Sequence, residues 1–452
     1  MTSWLARLGL VLSLSLASFG CAEVSPASEA RRDWLVSTLT EDNFDLLVRE
    51  PALVQAKYTL MATDLFRFFR GTAGQYFRDV TTPGPGYLPT AFATSTTSRV
   101  LLVGDPHLEN IGTMRGEGGL IVGFNDFDAA RFGPFHLDVR RLATSWWIAA
   151  QLWSNTKAAP SGAELVSETV RGYAEAIEAL AQGRSLPDPS RGAVLADLLT
   201  RAGEDARTRS ELFEYTAIDE QGRRVLSLPP PLPSAPLADA FRPLTDEEER
   251  LTDALLREHS TDHGLPATYF ARKDAWRRLG SGVASFANLR LYWLVEGATT
   301  ALEDDVIIEA KEARDPFPLP GLPLFPPRSH LHNAERIVQS QAALSEPLTD
   351  PHLDAVGSSQ ASFRLREVTG DQKGLRVSRL GEGLIAEAFP LDEFLELART
   401  SGALLAASHA RAPRLDGGSA LDAIAETLAG RHEAFLEEML VFAPQYGDLL
   451  AQ

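Results

Sequence analysis

The chain has 452 residues, with 43 Lys and Arg against 61 Asp and Glu, a formal net charge of −18 at pH 7 and 44% hydrophobic residues. That length and composition suit a globular chain of two or three units with a substantial core. The negative balance excludes sequence-independent adhesion to nucleic acid and electrostatic adhesion to anionic lipid, both of which need a basic surface.

In chain order, residues 1–21 read as a signal peptide. Arg7 precedes an apolar run, Leu8 to Phe19, too short to span a bilayer, and Gly20-Cys21-Ala22 follows. Cys21 is the sole cysteine. Its place suits a lipoprotein signal with Cys21 as the lipidated new N-terminus, although Ser18 stands where such signals usually carry an aliphatic residue. Cleavage after Ala22 is the alternative. The expectation is export, either periplasmic or as a membrane-anchored lipoprotein, with the membrane met only through that lipid. No intramolecular disulfide is available. Residues 22–30 read as a linker.

Residues 31–270 read as a mainly helical region. Trp34 to Glu50 suits one or two short helices. Ala52 to Phe69 has apolar residues at helical spacing, closed by Arg70-Gly71-Thr72-Ala73, and its Lys57, Arg67 and Arg70 read as the solvated basic edge of a core helix, ahead of the alternative of phosphate contact. A strand is expected over Arg99 to Gly104. It ends in Asp105-Pro106-His107-Leu108-Glu109-Asn110. A second apolar run ends in Asn125-Asp126-Phe127-Asp128, and Arg115-Gly116-Glu117-Gly118-Gly119 between the two is a hairpin turn signal. The hairpin would gather carboxylates, an amide and an imidazole at one end of a small sheet. Carboxylate and amide oxygens suit a hard divalent cation such as Mg2+. Helices are expected over Leu137 to Trp153, Ala163 to Ala181 and Arg191 to Arg207. A proline-rich extended loop, Leu226 to Pro236, and a charged, surface-exposed helix, Asp246 to Arg257, follow.

Asp105-x-His107-x-x-Asn110, the hairpin, Asp126-Phe127-Asp128 and then Gly133-Pro134-Phe135-x-x-Asp138-x-x-Arg141-Leu142-Ala143 resemble the bacterial domain-of-unknown-function family 2252. The block is also similar to the catalytic and metal-binding loops of aminoglycoside phosphotransferases and protein kinases. That resemblance implies Asp105 as the base that orients the acceptor hydroxyl. It implies Asn110 and Asp126 as Mg2+ ligands, Asp128 as a further ligand and Asp138 as a brace for the loops. His107, between Asp105 and Asn110, is expected to hydrogen-bond the loop.

Residues 271–385 read as a sheet lobe. Gly280-Ser281-Gly282 precedes a strand at Leu289 to Glu296, and a second strand, Val306 to Ala313, carries Lys311. Glycines allow close backbone approach and offer N–H groups to phosphate oxygens, which a nearby lysine can also reach. Together they look like the ATP-binding lobe of a kinase, in which the lysine pairs with a helix glutamate. Glu335, in a helix over Asn333 to Leu344, is the candidate, ahead of Glu312, which points away from Lys311 on a strand. Phe363 to Val368 alternates as a strand.

Residues 386–452 read as C-terminal helices that complete the large lobe, with His409 and Arg411 placed to brace the catalytic loop. The family's usual Ser-Gly-Asp after His-Ala-Arg is here Ala412-Pro413-Arg414. The kinase-like parts stand in inverted order, glycine loop and lysine after the catalytic loop. The implied fold is therefore an α+β, two-lobed, circularly permuted kinase-like fold, with a mostly helical large lobe and a small antiparallel sheet lobe. The leading function is phosphoryl transfer from a nucleotide to an unknown small-molecule or protein hydroxyl. Two alternatives stand beside it. One is a metal-dependent phosphoesterase seeded by Asp105-x-His107, with His330-x-His332 as the best remaining histidine pair. The other is a nucleotide-binding module without turnover.

Overall fold

The computed structural model describes residues 26–452, apart from 156–158, 231, 263–269, 315–316, 318, 320, 325–331, 359 and 387. The signal segment, Cys21 and His330 lie outside the described residues, as does much of the proline-rich stretch after Lys311. Among the described residues no helix is long and apolar enough to cross a membrane.

The first helices are α1 (Pro26–Asp42), α2 (Phe44–Arg49), α3 (Pro51–Met61), α4 (Leu65–Gly71) and α5 (Ala73–Thr81). Helix α1 begins inside the stretch expected to be linker. The single helix expected over Ala52 to Phe69 is two. Asp64 ends the first by capping the second, its side chain accepting the N–H of Arg67.

Strand β1 (Val100–Leu102), the hairpin β2 (Ile111–Gly116) and β3 (Gly119–Phe124), and β4 (Arg131–Gly133) follow. The hairpin register pairs Gly116 with Gly119, leaving Glu117 and Gly118 as the turn, and Gly119 takes φ +122°. Helices α6 (His136–Trp153), α7 (Gly162–Ala181), α8 (Ala193–Thr208) and α9 (Ser210–Tyr215) come next, then a small ribbon of β5 (Thr216–Ile218) and β6 (Arg224–Leu226).

The sheet unit holds β7 (Ala240–Pro243), α10 (Asp246–Asp262), β8 (Arg272–Leu279), β9 (Arg290–Val295), β10 (Val306–Ala313), α11 (Asn333–Leu344), β11 (Asp354–Gly357) and β12 (Ser362–Glu367). The closing helices are α12 (Val377–Ile385), α13 (Leu391–Arg411), α14 (Ala420–Leu428) and α15 (His432–Ala451).

The fold is α+β, a larger helical body and a six-stranded antiparallel sheet in the order β11-β12-β10-β9-β8-β7. Because β7 pairs with β8, the sheet draws in chain from upstream of the expected boundary at residue 271. Helix α10 is not the solvated helix its charge suggested. Its four leading acids sit at the helix N-terminus, where they oppose the macrodipole. Leu255 and Leu256 bury against Trp293, Val295, Ile308 and Phe363 of the sheet.

Strand β10 runs through the middle and is buried along its whole length. One face presents Val306, Ile308 and Ala310 to that apolar layer. The other carries Ile307, Glu309 and Lys311, with Arg290 and Arg364 beside Lys311 across the two neighbouring strands.

In the helical body α7 and α13 cross at touching backbones. A Cβ on Gly402 would lie 1.9 Å from the Thr169 carbonyl oxygen, and one on Gly172 would lie 2.0 Å from that of Arg399. Neither helix can yield without opening the core. Gly402→Val is therefore expected to destabilise the chain by about 2–3 kcal/mol, an overpacking cost, read as a lowered midpoint in urea. An unchanged midpoint would contradict this contact.

Candidate functional site

Two loops meet at the site because Gly104 lets them. Its φ is +88°, and a Cβ there would lie 2.3 Å from the carbonyl oxygen of Ala129. Asp138, at the start of α6, accepts from the backbone N–H of Val103 at 2.7 Å and of Gly104 at 3.2 Å. His409, near the end of α13, holds the same carboxylate through Nε2 at 3.1 Å, and its Nδ1 meets the Tyr173 hydroxyl at 2.8 Å. Asp138 and His409 are both buried. The end of α13 also reaches β1 through backbone: Leu101 N–H donates to the Pro413 carbonyl at 3.0 Å. Arg411 is turned elsewhere, to Glu346 and the Ala407 carbonyl.

Asp105 follows. Its Oδ1 accepts from Arg141 Nε at 2.5 Å, and the fully buried Arg141 stacks on Phe69 at 4.1 Å. Burial raises the Asp105 carboxyl above its ordinary range; Arg141 opposes that shift and the neighbouring Asp126 adds to it. His107 is buried against Phe66. Desolvation, then the charges of Arg70 and Arg141, push its imidazole well below the usual range, so it is neutral. Its Nδ1 has no bonded partner among the described residues, and its Nε2 lies 4.0 Å from Asp105, beyond hydrogen-bond distance. The backbone closes the turn instead, Asn110 N–H donating to the His107 carbonyl. Asn110 Nδ2 donates to the Asp105 carbonyl at 2.9 Å, which leaves Oδ1 as its acceptor.

From the sheet, Lys311 Nζ lies 2.6 Å from Asp128 and 3.9 Å from Asp126. Burial alone would raise the Asp128 carboxyl; Lys311 and Arg364 override it and hold the group well below the carboxylate range. Glu335 takes no part. It forms a capping box with His332 at the N-terminus of α11, because its place three residues after the cap suits that reciprocal bond. Lys311 draws its counter-charge from the acidic loop, and the neighbouring Arg336 donates to the Asp128 carbonyl at 2.8 Å. Glu312 pairs with Arg49.

Gly280 and Gly282 both have positive φ, +62° and +78°, and a Cβ on Gly280 would lie 1.8 Å from the Leu237 carbonyl oxygen. A cleft of about 490 Å³ is lined by Asp105, Asn110, Asp126 and Asp128 on one side and by Gly282 and Ser285 on the other.

Sequence reasoning passed over Arg141 as a site residue, and also the pair of Arg70 with Glu109, 2.5 Å apart, which ties α4 to the loop. Arg141 stood inside the quoted block, three residues after Asp138. Helical spacing places both on one face of α6 and was the available signal.

The chain belongs to the family described as an uncharacterized protein conserved in bacteria (DUF2252), whose model matches residues 49–452. The match reaches well upstream of the Asp105 block that carries the resemblance. No curated protein and no solved structure matches the chain.

Asp138→Ala would leave two buried N–H groups and a buried imidazole without their shared acceptor. The expected loss is about 3 kcal/mol by urea denaturation, with Asp138→Asn losing less. Equal stability in all three proteins would remove Asp138 as the brace.

Proposed function

We propose that this member of the family transfers a phosphoryl group from a nucleoside triphosphate to a hydroxyl acceptor, with Mg2+. The observation that carries the reading is the meeting of Lys311, from the third of three consecutive antiparallel strands, with Asp126 and Asp128 from far upstream. The glycine loop lies between the first and second of those strands, as in a kinase nucleotide lobe. The reach of α13 back to Asp138 and β1 supports a circular permutation, since it restores beside the catalytic loop a helix the chain order had removed.

Asn110 Oδ1, Asp126 and Asp128 would hold the cation. The buried Oδ1 of Asp128 has no bonded partner among the described residues, which suits that duty. Among those residues no group of three His, Cys, Asp or Glu gathers as a metal site. Mg2+ takes one or two carboxylates and completes its shell with water and phosphate oxygens. When bound, Mg2+ would neutralise charge on the phosphates.

Lys311 and the N–H groups of the glycine loop would bind phosphate oxygens. Arg141 fixes one oxygen of Asp105, leaving Oδ2 to accept the acceptor's proton as its oxygen bonds to phosphorus and the diphosphate departs. Catalysis is then positioning and electrostatics. The neutral His107 packs beside this carboxylate and adds no charge. Export would place the chain where nucleoside triphosphate is scarce, so the donor is best sought with a panel of nucleotides.

With MgATP the purified chain is expected to show a raised melting temperature, lost in Asp126→Ala. Asp105→Asn should keep that shift while slowing turnover by roughly 10²–10⁴. Absence of any shift across the nucleotide panel would end this reading. Because the Asp105 carboxyl is raised, turnover should fall as pH drops through a limb above the ordinary aspartate range. Measuring kcat/KM against pH checks this; a limb at the ordinary position would remove Asp105 as the base.

A further inference from the structure

Lys57 was expected on a solvated edge of its helix, yet it is only 4% exposed. Its ammonium has three donors. One goes to Asn43 Oδ1 and one to the carbonyl of Ala284, each at 2.9 Å. Both acceptors are neutral. Among the described residues no carboxylate lies within ion-pair distance of it. The nearby Asp42 is committed to Arg78 at 2.5 Å, and Arg314, also close, repels it. A buried ammonium is ordinarily matched by a counter-charge.

Lys57 lines the same cleft as Asp105, Asn110 and Asp126. It also touches the glycine loop, since Ala284 lies two residues past Gly282. Among the described residues, the N–H groups of Ser281, Gly282, Val283, Ala284 and Ser285 donate to no protein acceptor. A run of undonated N–H groups beside a buried, unmatched cation has the chemistry of an anion site.

We propose that Lys57 is a second phosphate-binding cation beside the glycine loop, residues 281–285, in the cleft that Asp126 and Asp128 also line, so that a polyphosphate chain is held by Lys57 as well as by Lys311. This deepens the phosphotransferase reading and rests on it for the nucleoside end of the ligand, but not for the phosphate end. On binding, Lys57 keeps its charge and turns its third donor to a phosphate oxygen, and no covalent step is involved. A phosphate would supply the counter-charge that Lys57 lacks within the protein.

The test compares the full chain with Lys57→Met and Lys57→Arg, using inorganic tripolyphosphate and MgATP as probes in calorimetry, with the melting temperature of each unliganded protein recorded alongside. Lys57→Met is expected to bind both probes roughly 10- to 100-fold more weakly, the loss of one charge-assisted hydrogen bond. Lys57→Arg should recover part of that. Lys57→Met should lower the unliganded melting temperature only modestly, because the lost bonds to Asn43 and Ala284 are offset by removal of a buried ammonium that has no counter-charge.

Unchanged affinities would overturn the inference, and if turnover persists they leave the phosphotransferase reading standing. A lowered melting temperature with unchanged affinities would overturn it as well, making Lys57 a structural tie. Lys57-dependent binding of tripolyphosphate by a chain that neither prefers nor turns over nucleotide would uphold the inference and end the reading. Binding of neither probe by the unaltered chain would overturn both.

Discussion

The ion pair between Lys311 and Asp128 governs how the two parts of this molecule meet. Lys311 sits on the central strand of the sheet and is 4% exposed, so its ammonium has lost nearly all its water. A buried charge stripped of its partner costs roughly 3–5 kcal/mol. The partner comes from a loop about 180 residues earlier in the chain, 2.6 Å away. Arg336 reinforces the junction from α11 by donating to the backbone of the same loop. The sheet is thus bonded to the acidic loop by charge as well as by packing.

On the helical side, Asp138 performs the corresponding task. One buried carboxylate receives two backbone N–H groups from the turn before Asp105 and an imidazole from the far end of the chain. It therefore fixes where the loop begins and which late helix lies behind it. With Gly104 allowing the Ala129 loop to approach, Asp105, Asn110, Asp126 and Asp128 come to line one cleft. Their charges do not act alike. Asp128 is held strongly ionised by Lys311 and Arg364 against the pull of burial, while Asp105 is raised by burial despite Arg141. On the phosphotransferase proposal, that difference would divide cation binding from proton transfer between them.

Lys57 of α3 lines the cleft, and Lys311 of the sheet pairs with Asp126 and Asp128, which line it as well. Residues of the N-terminal helices thus contribute to the wall of the cleft. The glycine loop is shaped by positive φ at Gly280 and Gly282 and by the approach of Leu237, which leaves no room for a side chain at Gly280.

The sequence by itself determined the α+β class, the β2–β3 hairpin with its flanking acidic clusters, the strand bearing Lys311 and the long helices. Each of these rests on local signals of two, three or four residues: alternation, helical spacing, or glycine at a turn. It also marked Asp138 and His409 as braces, because the family resemblance carried long-range information. Only the tertiary structure decided what depends on partners distant in the chain. It turned Lys57 inward, because α3 packs beneath the glycine loop. It gave Glu335 to a helix cap and Lys311 to Asp128. It buried one face of the acidic α10 on the sheet and added β7 to the sheet's edge. Charge and periodicity say that a side chain needs a partner or a layer; the packing of remote segments says which one it meets.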